Sequence, residues 1–99
     1  MSDPDDSTAT ATVIIPNPLG MHAKPTMAFT ELASRFTCDI SVSRTDTGQR
    51  ANGKAMLSML ALMLTKGTEI RIDASGSDAR QAVAELASLV RSGFPGISR

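Results

Sequence analysis

The chain has no tryptophan, no tyrosine, one cysteine and one histidine among its 99 residues. A lone Cys38 excludes an internal disulfide and any metal site made of several thiolates. It is expected to be a small core residue in a reducing compartment. With three Phe as the only aromatics there is no set of rings on which bases could stack, and no basic stripe is present, so nucleic acid is not an expected partner. Long apolar runs are also missing. The longest, from Ala55 to Leu64, is interrupted by Ser58 and falls short of the roughly 20 residues of a spanning helix, so no membrane insertion is expected. No basic region followed by an apolar run opens the chain, which leads to the expectation of no signal peptide and a cytoplasmic location. One histidine with scattered carboxylates makes a poor metal site. No nucleophile elbow and no Walker-type glycine loop occur. Neither metal nor cofactor is therefore expected.

What is present suits one small domain with a single core, with any chemistry at its surface. Aliphatic side chains and six Met must build that core. The formal charge is zero, but Asp3, Asp5 and Asp6 crowd the start and leave ten Lys and Arg against seven Asp and Glu elsewhere. Such a mild excess fits steering of an acidic protein partner. Residues 1–8 are expected to be a disordered acidic tail, 9–93 the domain, and 94–99 a loose C-terminal tail.

Along the chain, TATVIIP predicts a strand stopped by Pro16, and NPLG a turn. Ala28, Phe29, Leu32, Ala33 and Phe36 form one helical stripe. Pro25 fits only the first turn of that helix, which puts the start at residue 22 or 23 and His22 at or near the N-cap. DISVS alternates Ile40 and Val42 inward, and Asp46-Thr47-Gly48 signals a hairpin to a short strand near Gln49 to Ala51. NGKAMLSMLALMLTKG predicts a helix capped by Asn52 and closed by Gly67, with more apolar residues than one face can bury. Ile70, Ile72 and Ala74 alternate as a strand. Asp78 is a candidate cap for a last helix whose stripe runs Ala79, Ala82, Val83, Leu86, Leu89, Val90 and which stops at Gly93. The order β-α-β-β-α-β-α, with alternating strands and striped helices, predicts an α+β domain: an open sheet with helices on one side.

The histidine lies in GMHAKP, Gly20 to Pro25. A helix start offers unpaired N–H groups and a partial positive charge, a natural place for an anion. Lys24 adds a cation, and Gly20 allows close backbone approach. The anion could be formed on the histidine itself, because neutral imidazole is a nucleophile. A phosphoryl group on His22 would be held by the backbone of Ala23 and Lys24 and by the Lys24 side chain. Phosphoryl transfer asks for little beyond position and electrostatic support.

GMHAKPTMAFTELASRF resembles the active-site segment of the histidine-containing phosphocarrier (HPr) family, G-[LIM]-H-A-R-P followed by an amphipathic helix. NGKAMLSMLAL is similar to that family's N-x-K-S segment and second helix, and KGTEIRIDASGSDARQAVAELASLV to its last strand and helix. The resemblance runs from about residue 12 to residue 91, with an insertion in the hairpin around RTDTGQR. It implies an open-faced β-sandwich of four antiparallel strands with three helices on one face. It implies a monomeric relay protein of the phosphoenolpyruvate-dependent phosphotransferase system. Enzyme I would phosphorylate His22 on Nδ1, and EIIA domains would take the phosphate onward for sugar uptake or regulation, so the protein completes no turnover alone. A regulatory, nitrogen-type carrier and a non-catalytic interaction module are the alternatives. The resemblance also implies a docking face of Thr26, Met27, Met56, Leu57 and Leu60, with Lys54 at its rim. Two positions depart from the pattern. Lys24 replaces the family's Arg and lacks its bidentate fork. Ala55 replaces the regulatory serine, and Ser58 is expected to be an ordinary helix serine rather than its substitute.

Overall fold

A computed structural model describes residues 7–96. The expected first six and last three residues of the two tails lie outside the described residues. The elements are β1 (Thr8–Ile14), α1 (Ala23–Ala33), β2 (Asp39–Arg44), β3 (Arg50–Asn52), α2 (Met56–Leu60), β4 (Glu69–Ser75) and α3 (Ala79–Arg91). The four strands form one antiparallel sheet in the order β1-β4-β2-β3.

The period of two in each strand decides which face is buried. Ala11, Ile72 and Val42 are cross-strand neighbours, as are Ala9, Ala74 and Ile40. With Val13, Ala51 and Ile70 they make the inner face. The helices cover that side with Phe29 and Ala33 from α1, Met59 from α2, and Ala82, Val83, Leu86 and Val90 from α3, all buried. Thr10, Thr12, Glu69 and Arg71 remain on the open face. No helix among the described residues is long and apolar enough to cross a membrane.

The ends of the domain differ from the sequence-based expectation. Thr8 already pairs with Ser75, so β1 takes a residue assigned to the tail. Phe94, assigned to the loose C-terminal segment, is only 1% exposed. The amide N–H of Gly93 donates to the carbonyl of Val90 (3.0 Å) and that of Phe94 to the carbonyl of Leu89 (3.3 Å). This Schellman turn, with Gly93 at φ +76°, folds the chain back and plants Phe94 in the core.

α2 is much shorter than the sequence pattern predicts. Asn52 is the last residue of β3 rather than a helix cap, and Ala55 occupies the N-cap position. The helix ends at Leu60, and Met63 adopts φ +51°. Beyond the helix, the carbonyls of Leu62 and Met63 accept hydrogen bonds from Arg44 Nη1 (3.0 and 3.2 Å).

Asp78 sits at the N-cap of α3 without making a side-chain cap bond. Its Oδ2 accepts the backbone N–H of Thr37 (2.8 Å) and the Thr37 hydroxyl (3.3 Å), and its Oδ1 accepts the N–H of Cys38 (2.9 Å). The carboxylate thus ties the loop before β2 to the start of α3. The Thr37 N–H bond is the largest cause of a carboxyl pKa lowered from 3.8 to about 2. A folded-state value below the unfolded one gives stability that is fully present above about pH 4 and is lost as pH falls through about 2. Asp78→Asn is therefore expected to lower the melting temperature at neutral pH. It should also flatten the loss of stability between about pH 4 and pH 2. Thermal unfolding followed by circular dichroism across that range checks this, and equal slopes for the two proteins would contradict it.

Candidate functional site

His22 is the N-cap of α1, with extended backbone (φ −72°, ψ −170°), and Ala23 is the first helical residue. The proline-based start is thus observed. The His22 carbonyl accepts the N–H of Thr26 at 3.1 Å, the first bond of the helix. No side chain caps the first turn, whose N–H groups at Ala23 and Lys24 have no intrahelical partner by geometry. The half-buried imidazole makes no hydrogen bond to any described residue, and Lys24 is exposed.

The residues before His22 are held rigidly. The N–H of Met21 donates to the carbonyl of Leu64 (2.8 Å) and the carbonyl of Met21 accepts the hydroxyl of Thr26 (2.8 Å). Gly20, at φ +66°, lies so close to the 64–65 backbone that an added Cβ would be 2.4 Å from the Leu64 oxygen. The close approach expected from this glycine is thus real. The N–H of Gly20 donates to the carbonyl of Asn17 (2.9 Å), and Asn17 Nδ2 donates back to the carbonyl of Gly20. Asn17 is 7% exposed, and its Oδ1 is buried without a partner among the described residues.

Two of the expected docking residues are engaged within the domain. Thr26 is 0% exposed, because its hydroxyl turns inward to the Met21 carbonyl. Lys54 is half-buried, and its Nζ donates to the carbonyl of Phe36 (2.7 Å), tying the end of the α1 loop to the approach of α2. Met27 and Leu57 are exposed, Met56 and Leu60 are half-buried, and α1 packs against α2. Leu19 and Met63, absent from the expected set, are also exposed large apolar side chains. Met63 belongs to the segment whose apolar residues are too many for one face to bury. The only other strong nucleophile, Cys38, is buried, and burial above all, with Asp78 second, pushes its thiol pKa up to about 11. A concavity on the open sheet face, lined by Thr10, Ser41, Arg50, Arg71 and Asp73 among others, does not include His22.

A protein-family description, "PTS HPr component phosphorylation site", matches residues 9–92. The chain belongs to the HPr family of phosphotransferase-system phosphocarriers. Similar HPr-family members include phosphocarrier protein NPr of Escherichia coli K12, 37% identical over 87 residues, 88% of this chain and 96% of that protein. Phosphocarrier protein HPr of Neisseria meningitidis Z2491 is 35% identical over 78 residues, 79% of this chain and 85% of that protein. The chain also matches the multiphosphoryl transfer protein of Escherichia coli O157:H7, of whose length it spans 24%. Among solved structures, HPr-C-His from Thermoanaerobacter tengcongensis superposes with a TM-score of 0.84 at 28% identity, covering 91% of this chain and 99% of that one. The four-stranded antiparallel sheet with three helices is thus the HPr fold.

The tight packing at Gly20 has a measurable consequence. Gly20→Ala places a Cβ against the Leu64 carbonyl in a left-handed conformation, and should cost about 2 kcal/mol or more. Urea unfolding measures this, and a loss below about 0.5 kcal/mol would show that the contact is easily relieved.

Proposed function

We propose that His22 is the residue that receives the phosphoryl group, from phosphorylated enzyme I, and gives it to an EIIA domain. The observation that carries this reading is the unpaired imidazole at the uncapped N-terminus of α1. A ring nitrogen of His22 attacks the donor phosphorus, a nitrogen–phosphorus bond forms, and the bond from phosphorus to the donor atom breaks. The N–H groups of Ala23 and Lys24 and the Lys24 ammonium face the added negative charge. Lys24 acts as a point charge and holds the product with fewer directed bonds than an arginine fork. The exposed apolar side chains of Leu19, Met27, Leu57 and Met63 suit brief docking by successive partners, with Met adapting its shape to each.

The end-point is sugar uptake or a nitrogen-type regulatory chain. Similarity to NPr supports the second reading as well as the first. Ala55 offers no hydroxyl at the family's regulatory position. Ser58 Oγ already accepts the N–H of Asn52 at 3.0 Å, which supports a structural role for that serine.

Incubation with phosphoenolpyruvate and enzyme I should put acid-labile phosphate on the protein. His22→Ala should abolish it, and labelling that persists in this variant would move the site elsewhere. Transfer from the labelled protein to a sugar-type and a nitrogen-type EIIA domain, compared side by side, identifies the acceptor class. Lys24→Arg should transfer at least as fast as the wild type, and a large slowing would show that lysine is specifically required.

A further inference from the structure

We infer that Arg44 is a positioning residue for phosphoryl transfer at His22, acting through the segment 62–65; this rests on the phosphocarrier reading above. Arg44 closes β2, and its guanidinium faces two ways. Nε and Nη2 donate to Asp46 Oδ1 and Oδ2 (2.9 and 2.8 Å), while Nη1 donates to the carbonyls of Leu62 and Met63 (3.0 and 3.2 Å). Asp46 orients the planar fork, and the fork holds two carbonyls of the loop that follows α2. Gln49, from the same hairpin, reaches the carbonyl of Ala61 (3.5 Å).

The held segment leads directly to the site. Met63 is fixed in a left-handed conformation with its side chain 76% exposed, on the surface proposed for docking. The carbonyl of the next residue, Leu64, takes the N–H of Met21, and Gly20 has no free space against Leu64 and Thr65. A shift of the 62–63 carbonyls would therefore displace Met63 and disturb the backbone that carries His22. Among the described residues the β2–β3 hairpin makes no hydrogen bond to the imidazole or to the first turn of α1, yet through Arg44 it sets the position of both.

The test compares Arg44→Met, Arg44→Lys and Asp46→Ala with the full wild-type chain as substrates of phosphorylated enzyme I, at a temperature where each is folded by circular dichroism. Arg44→Met should raise KM about tenfold with kcat within about twofold, because misplacement weakens productive docking. Arg44→Lys, which keeps one donor for the carbonyls, should recover part of the loss. Asp46→Ala should raise KM in the same direction, about threefold. The two charge changes are opposite, so a common direction separates positioning from electrostatic steering. Hydrogen exchange at the Met21 amide should quicken in Arg44→Met by more than the global loss of stability accounts for. An unchanged KM in folded Arg44→Met, unchanged Met21 protection, or opposite KM shifts in the Arg44 and Asp46 variants would each overturn the inference. If Arg44→Met does not fold, Asp46→Ala and Arg44→Lys decide it by the same measurements. A wild-type protein that takes no label from enzyme I would overturn the carrier reading and this inference together, whereas a labelled wild type with an unaltered variant overturns this inference alone.

Discussion

The carbonyl of Leu64 and the N–H of Met21, 2.8 Å apart, join two segments that are distant in sequence. The same two segments are stitched further along by Ile15 donating to Thr68 (2.9 Å) and Gly67 donating to Ile15 (2.8 Å). These bonds prolong the β1–β4 pairing past the end of the strands, out to the residue before the histidine. A side chain at position 20 would prevent the approach, and a different conformation of the 62–65 segment would remove the acceptor. The location of His22 is therefore a property of the sheet as much as of α1. The helix supplies the unpaired N–H groups, and the prolonged pairing decides where in space they are offered.

Once the loop is fixed, the division of labour within α1 follows. Pro25, Thr26, Phe29, Thr30 and Ala33 turn to the core, and the side chains of Ala23, Lys24 and Met27 turn to solvent. Thr26 is the hinge of that arrangement. It looks like a surface residue in the sequence, yet it satisfies the Met21 carbonyl from inside. Burial of its hydroxyl is tolerable because that bond is made, as a buried polar group requires. The result is a half-buried imidazole on a well-bonded base, which on the phosphocarrier reading is the nucleophile. Such a site gives a partner access from outside and leaves the exclusion of water to the complex.

The parts of this structure that could be read from the sequence are those coded by near neighbours. Pro25 marked the start of α1, Gly93 the end of α3, and the period of two in IRIDAS the buried side of β4, because each signal acts within a few residues. Several departures involve side chains that meet across the fold. Asp78 has a cap residue's identity and position but bonds Thr37 and Cys38, some forty residues away in sequence. Lys54 looks like a solvated rim charge and instead meets the Phe36 carbonyl. The apolar run after Ala55 reads as a short helix that closes at Gly67, because Met and Leu favour one. The helix stops at Leu60, and Arg44 holds the carbonyls of Leu62 and Met63 beyond it, a contact that nothing in the local sequence announces. The histidine itself was legible, but the lever that holds its surroundings was not.

The start of α2 shows how a lost side chain changes the logic of a conserved-looking segment. Ala55 sits at the N-cap and contributes no capping oxygen. Its neighbours supply the missing order: Asn52 Oδ1 accepts the N–H of Lys54 (3.0 Å), and Ser58 Oγ accepts the N–H of Asn52 (3.0 Å). A phosphate on Ser58 would have to break the second of these bonds and bring negative charge to a half-buried position, so the turn favours an unmodified serine. Position 55 has no hydroxyl and that of Ser58 is engaged, so neither is a ready phosphate acceptor beside the exposed Leu57. On the phosphocarrier reading, the charge at His22 distinguishes the two states that a partner meets. That places the burden of discriminating donor from acceptor on Lys24 and the first turn of α1, the groups that face the charge in one state and face solvent in the other.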